Sequence, residues 1–169
     1  MNYADIKNVD IANGVGCRVS LWVSGCNIRC PGCHNEWAWD FSYGKKFTIE
    51  TEDYILELLK PDYIDGLSVL GGEPLDQDMI LYDFLRRVKR EMPEKTIWLY
   101  SGYILGFGNR QYFAGYYDLI DVLVDGPFNE SKKELGLKFR GSTNQRIIDM
   151  NKTREAGKIV LWESEYDFV

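Results

Sequence analysis

Three times in this chain a short apolar run stops at a polar, glycine-bearing turn. Leu67-Ser68-Val69-Leu70 ends in Gly71-Gly72-Glu73-Pro74, Thr96-Ile97-Trp98-Leu99-Tyr100 in Ser101-Gly102, and Val122-Leu123-Val124 in Asp125-Gly126-Pro127. Helix-forming stretches separate these runs. Asp76 to Met92 carries an apolar stripe of Leu81, Phe84, Leu85, Val88 and Met92 before Pro93, and an aromatic segment spans about Asn109 to Ile120. A further helix is expected over Thr51 to Leu59, stopped by Pro61. Strands that alternate with helices pair in parallel through crossovers. Four or five such strands cannot close a barrel, so the expectation is an α/β fold, an incomplete, open (βα) partial barrel, as one domain over residues 1–169. In such sheets polar residues at the carboxyl ends of the strands build the site. Glu73, Ser101 and Asp125 all fall at such ends.

Upstream, Ile6 to Ile11 and Cys17 to Val23 read as two strands folded into a hairpin by Ala12-Asn13-Gly14-Val15-Gly16. Residues 126–146 read mostly as loop, and Ile147 to Met150 and Ile159 to Trp162 as late, paired strands. The formal net charge of −6 argues against a nucleic-acid partner. The basic cluster Lys132, Lys133, Lys138, Arg140 and Arg146 is interrupted by Glu130 and Glu134. No stretch approaches the ~18 consecutive apolar residues of a membrane span. The first residues lack a secretory pattern, so the expected location is cytoplasmic and no membrane partner is expected.

Three of the four cysteines, Cys26, Cys30 and Cys33, lie within eight residues. That spacing is too tight for mutually satisfied disulfides and suits thiolates converging on a metal cluster from one compact loop. Three ligands would leave one iron of a cubane open to a substrate. Cys17, at the start of a strand, reads as a buried small hydrophobe. The rival is a non-catalytic Cys3His zinc module using His34. Adjacent Cys33 and His34 reach one tetrahedral ion with difficulty, and zinc requires no Gly-Gly-Glu-Pro strand end downstream.

The pattern Cys-x3-Cys-Pro-Gly-Cys-His-Asn, with Trp37 and Trp39-Asp40 after it and Gly71-Gly72-Glu73-Pro74 downstream, resembles the glycyl-radical-enzyme activases of the radical S-adenosylmethionine superfamily. Within these, the segments from Val15 to Cys26, Val122 to Phe128 and Arg140 to Ile148 resemble the anaerobic ribonucleoside-triphosphate reductase activating family. The likeness covers residues 1 to about 150. It implies a partial barrel of the radical SAM type and a [4Fe-4S] cluster held by Cys26, Cys30 and Cys33. It also implies reductive cleavage of S-adenosylmethionine to a 5′-deoxyadenosyl radical, which takes a hydrogen atom from a glycine of the partner reductase. The electron would come from an external carrier such as flavodoxin. An activase of the pyruvate formate-lyase type is the alternative, though those chains are typically longer.

The resemblance also assigns cofactor-binding roles. Gly71, Gly72, Glu73 and Pro74 would receive the methionyl ammonium, the glycines by close backbone approach and Glu73 as an acceptor; the competing reading makes Glu73 a turn cap. Gly32 stands where the superfamily usually has an aromatic residue, so adenine would meet the backbone of Gly32, Cys33 and His34. Ser101 and Asp125 would bind ribose hydroxyls, the methionyl carboxylate region or a cation, or else stabilise their turns. His34 has no acid–base task. Trp22, Trp37 and Trp39 shield the cluster, meet the partner or pack the core, and the Arg140–Arg146 loop would touch the partner or the cofactor's edge.

Overall fold

A computed structural model describes residues 1–106 and 110–163, without the side chains at 110 and 112. Its strands are β1 (Asn2–Asp10), β2 (Arg18–Ser24), β3 (Lys45–Lys46), β4 (Gly66–Gly71), β5 (Thr96–Ser101), β6 (Val122–Asp125) and β7 (Arg146–Asp149). They form one seven-stranded sheet in the order β3-β1-β2-β4-β5-β6-β7. Neighbours from β2 to β6 pair in parallel, and antiparallel β1, β3 and β7 lie at the margins. The arrangement is an open α/β sheet consistent with a partial radical SAM barrel.

The parity of the parallel strands separates two faces. Val19, Leu21, Val23, Leu67, Val69, Ile97, Leu99 and Leu123 face outward into the main core. There they meet Ile55 and Leu59 of α1 (Ile49–Leu59) and Leu81, Phe84, Leu85 and Val88 of α2 (Met79–Glu91). The inner face carries Trp98, Val122 and Val124, packed with Tyr100, Phe139, Ile147 and Trp162. At the amino ends of the strands Arg18 plugs this face, fully buried. It donates to Ser68 Oγ (2.7 Å), Thr96 Oγ1 (3.0 Å), Thr96 O (2.9 Å), Leu67 O (2.9 Å) and Val15 O (3.2 Å), with its guanidinium over Trp98. Burial draws its pKa down to about 10.

Several boundaries differ from the expectations. The helix expected from Asp76 begins at Met79, because Glu73 caps a separate 3-10 turn over Pro74–Asp76 and Asp78 caps the helix at Ile80 N–H (3.1 Å). The expected 109–120 helix is a turn at Arg110–Phe113 followed by α3 (Tyr116–Leu119); Asn109 lies outside the described residues. Met150 begins α4 (Met150–Ala156) instead of ending a strand, because Asp149 accepts from Lys152 N–H (2.9 Å). Residues 159–162 form no full strand, yet Asp149 N–H and Trp162 N–H bond across to Val160 O (3.0 Å) and Ile147 O (2.9 Å). No helix among the described residues is long and apolar enough to cross a membrane.

Candidate cluster and cofactor site

Every feature of the site follows from where β2, β4, β5 and β6 end. Beyond β2, Gly25 carries the chain into the cysteine loop. The Gly71-Gly72-Glu73 turn beyond β4 is stitched to it: Gly72 N–H donates to Val23 O and Glu73 N–H to Gly25 O, both at 2.8 Å. Gln77 Nε2 adds a bond to Gly25 O (3.2 Å). This approach requires glycine, since a Cβ at Gly72 would stand 2.4 Å from Gly25 O and 2.9 Å from Ala38 O. Asp76 clamps the loop from below, accepting from Asn27 N–H (2.7 Å) and from Tyr103 Oη (2.8 Å). The sequence marks Asp76 only as an acidic residue near a helix start.

These elements enclose a cavity of about 390 Å³. Cys26, Cys30, Cys33 and His34 line it from the cysteine loop, and Gly71, Gly72, Glu73 and Ser101 line it from the strand ends. Three expected site residues are not among its walls. Pro74 is buried in the 3-10 turn. Gly32 sits at a φ of 72°, and that left-handed turn conformation accounts for the glycine. Asp125 lies outside the cavity although Ser101, its register partner on β5, lines it; the ion pair with Arg146, opposite it on β7, holds its carboxylate away. Its fully buried carboxylate accepts from Leu105 N–H (2.8 Å) and Arg146 Nε (2.9 Å) and pairs with Arg146 Nη2. Arg146 thereby anchors β7 rather than standing free for a partner.

Glu73, 2% exposed, accepts from Leu75 N–H (2.9 Å) and Gly102 N–H (2.7 Å). Burial pushes its pKa up to about 7 despite those bonds and a bond with Ser101, so a cation placed beside it would restore the carboxylate. Ser101 Oγ also accepts from Tyr103 N–H (3.0 Å). Glu73 thus caps its turn and lines the cavity at once.

The donor set fits an iron–sulfur cluster. Thiolates are the ligands such clusters take, and backbone amides surround the three sulfurs. Cys33 Sγ accepts from Asn35 N–H (3.4 Å), and the neighbouring backbone amides of Phe128 at Cys30 and of Ile28 and Arg29 at Cys26 favour the thiolate. Burial still raises the Cys26 and Cys30 thiols, so a bound iron would have to favour the thiolate. Among the described residues no three His, Cys, Asp or Glu side chains converge closely enough for a single ion. The Cys3His zinc alternative thus has no ligand set here, and the His34 ring packs on Phe128 at 5.3 Å. Cys17 is half-buried against the main core, apart from this loop.

Fold and site together define a single-cluster iron–sulfur domain on an open α/β sheet, and the model of the 4Fe-4S single cluster domain matches residues 12–148. Similar full-length proteins narrow the class. The anaerobic ribonucleoside-triphosphate reductase-activating protein of Vibrio cholerae serotype O1 is 42% identical over 153 residues, spanning 87% of this chain and 97% of the relative. Those of Escherichia coli K12 and enterobacteria phage T4 are 41% and 37% identical, each over 87% of this chain and over 97% and 93% of their own lengths. The chain belongs to the anaerobic ribonucleoside-triphosphate reductase-activating protein family.

Proposed function

We infer that this chain is a radical S-adenosylmethionine enzyme that installs a glycyl radical on an anaerobic ribonucleoside-triphosphate reductase. The observation that carries this is the joining of three cysteines to the Gly71-Gly72-Glu73 turn around one cavity, in a chain whose relatives bear that name along almost their whole length. When bound, a [4Fe-4S] cluster and S-adenosylmethionine supply a hydrogen-abstracting 5′-deoxyadenosyl radical; the protein orients them and excludes water.

The chain's own residues divide that work. Cys26, Cys30 and Cys33 hold three irons. Glu73, anchored by two backbone amides, faces the methionyl ammonium as a carboxylate, and the absence of Cβ atoms at Gly71 and Gly72 lets backbone carbonyls approach it. The backbone of Cys33 and His34 borders the adenine, and Ser101 fixes Glu73 from the neighbouring strand. A one-electron carrier such as flavodoxin supplies the electron, and the reaction proceeds in the cytoplasm beside the reductase.

Anaerobic reconstitution tests the reading. A brown protein that forms 5′-deoxyadenosine on reduction, and a glycyl radical signal by electron paramagnetic resonance once reductase is added, is the expected result. A reconstituted, reduced protein that cleaves no S-adenosylmethionine overturns it.

A further inference from the structure

The inner wall of the cavity carries hydrogen-bonding groups that neither the thiols nor the Glu73 turn employs. Trp22 and Tyr100 lie one layer below the strand ends, and both side chains line the cavity. Register sets Trp22, Leu70, Tyr100 and Val124 side by side across β2, β4, β5 and β6, so one aliphatic residue, Leu70, separates the indole from the phenol on one level of the sheet. Trp22 Nε1 and Tyr100 Oη are buried, yet neither has a hydrogen-bond partner. Burying such a group without a partner costs about 1–3 kcal/mol, so two at one level of one cavity call for a ligand.

The chemistry of the two groups restricts that ligand. An indole N–H only donates, so its partner must be an acceptor. Leu70, between the donors, offers a polar side chain no partner. A methionyl ammonium and a sulfonium have no use for such donors, and the ammonium is already provided for by Glu73; the nucleoside's own acceptors are the rival that the titrations below separate. A main-chain segment with a glycine at its centre suits both donors: it offers carbonyl acceptors and brings no side chain against Leu70. Trp39 Nε1, a third partnerless donor on the cavity wall, belongs instead to the cysteine loop, since Trp39 O accepts from Cys26 N–H (3.2 Å).

Resting on the function inferred above, we propose that Tyr100 and Trp22 seat the target segment of the reductase by donating to its backbone carbonyls. They are positioning residues for the protein substrate, distinct from those that hold S-adenosylmethionine.

The test uses full-length, reconstituted Tyr100→Phe and Trp22→Phe proteins. Two titrations are compared: 5′-deoxyadenosine formation against S-adenosylmethionine without reductase, and glycyl radical against reductase concentration. Each variant is expected to raise the half-saturating reductase concentration about fivefold, the worth of one neutral hydrogen bond. Fewer radicals should form per 5′-deoxyadenosine, while half-saturation by S-adenosylmethionine moves less than twofold. The Tyr100→Phe apoprotein should be as heat-stable as the parent or more so, because the lost hydroxyl had no partner; a structural role would lower its melting temperature. An equal rise in half-saturation by S-adenosylmethionine with none for reductase assigns the donors to the nucleoside and overturns the proposal, as does no change in either. If the unaltered protein cleaves S-adenosylmethionine but leaves no glycyl radical on the reductase, the functional reading fails first, and the seat with it.

Discussion

Gly72→Ala isolates the contact on which the site's geometry rests. Gly72 has no left-handed backbone, so alanine brings no conformational strain and the effect is purely steric. The new methyl carbon would stand 2.4 Å from Gly25 O and 2.9 Å from Ala38 O, both backbone atoms that cannot swing aside. Reaching ordinary contact near 3.4 Å requires the entry of the cysteine loop to retreat by about 1 Å. That retreat breaks the 2.8 Å bond from Glu73 N–H to Gly25 O and strains the 2.7 Å bond from Gly25 N–H to Ala38 O. Overpacking costs about 1–3 kcal/mol, and a lost backbone bond adds about 1 kcal/mol. The expected loss is therefore about 2–4 kcal/mol, measured as urea unfolding of the apoprotein. The reconstituted variant should also require at least tenfold more S-adenosylmethionine, because Glu73 moves relative to the thiols. Gly136→Ala, with nothing within 4 Å of the added carbon, is the neutral control. A Gly72→Ala protein within 0.5 kcal/mol of the parent and with unchanged half-saturation would refute the reasoning.

Three other outcomes are expected. Arg18→Met removes five buried donors and orphans the Leu67 and Thr96 carbonyls, so stability should fall by about 3 kcal/mol or more in denaturant; a loss under 1 kcal/mol would show that the plug is dispensable. Asp125→Asn should cost about 3–5 kcal/mol by leaving Arg146 without its buried counter-charge. Because Asp125 does not line the cavity, half-saturation by S-adenosylmethionine should move less than threefold, and a larger rise than in Gly72→Ala would return it to the cofactor site. Glu73 sets a pH dependence. Its folded pKa, about 7, lies above the ordinary 4.5, so its contribution to apoprotein stability is fully present below pH 4.5 and lost as pH rises through 7. The loss is on the order of 3 kcal/mol. Glu73→Gln should flatten that part of the stability profile between pH 5 and 8; an unchanged slope would show that Glu73 does not titrate there.

The cysteine loop and the Gly-Gly-Glu turn that together line the cavity were legible in the sequence because each lies in one contiguous segment with its own spacing. The parallel alternation was legible too, since strand, turn and helix signals are local. Helix starts were less so. Nothing near Asp76 tells that its carboxylate is committed to Asn27 and Tyr103, and that commitment, with the Glu73 cap, delays the helix to Met79.

What only the tertiary structure decided turns on strand parity and on partners far away in sequence. Asp125 ends its strand in register with Ser101, yet Ser101 lines the cavity while Asp125 is taken by Arg146, its neighbour across on β7. Period-two alternation sets Val124 on the inner face. The same alternation lifts Tyr100 and Trp22 out of the ordinary core. Their polar atoms reach the inner wall without partners only because four parallel strands bring that wall together. Spacing along the chain could name the thiols. It could not name the floor beneath them, because that floor exists only across strands.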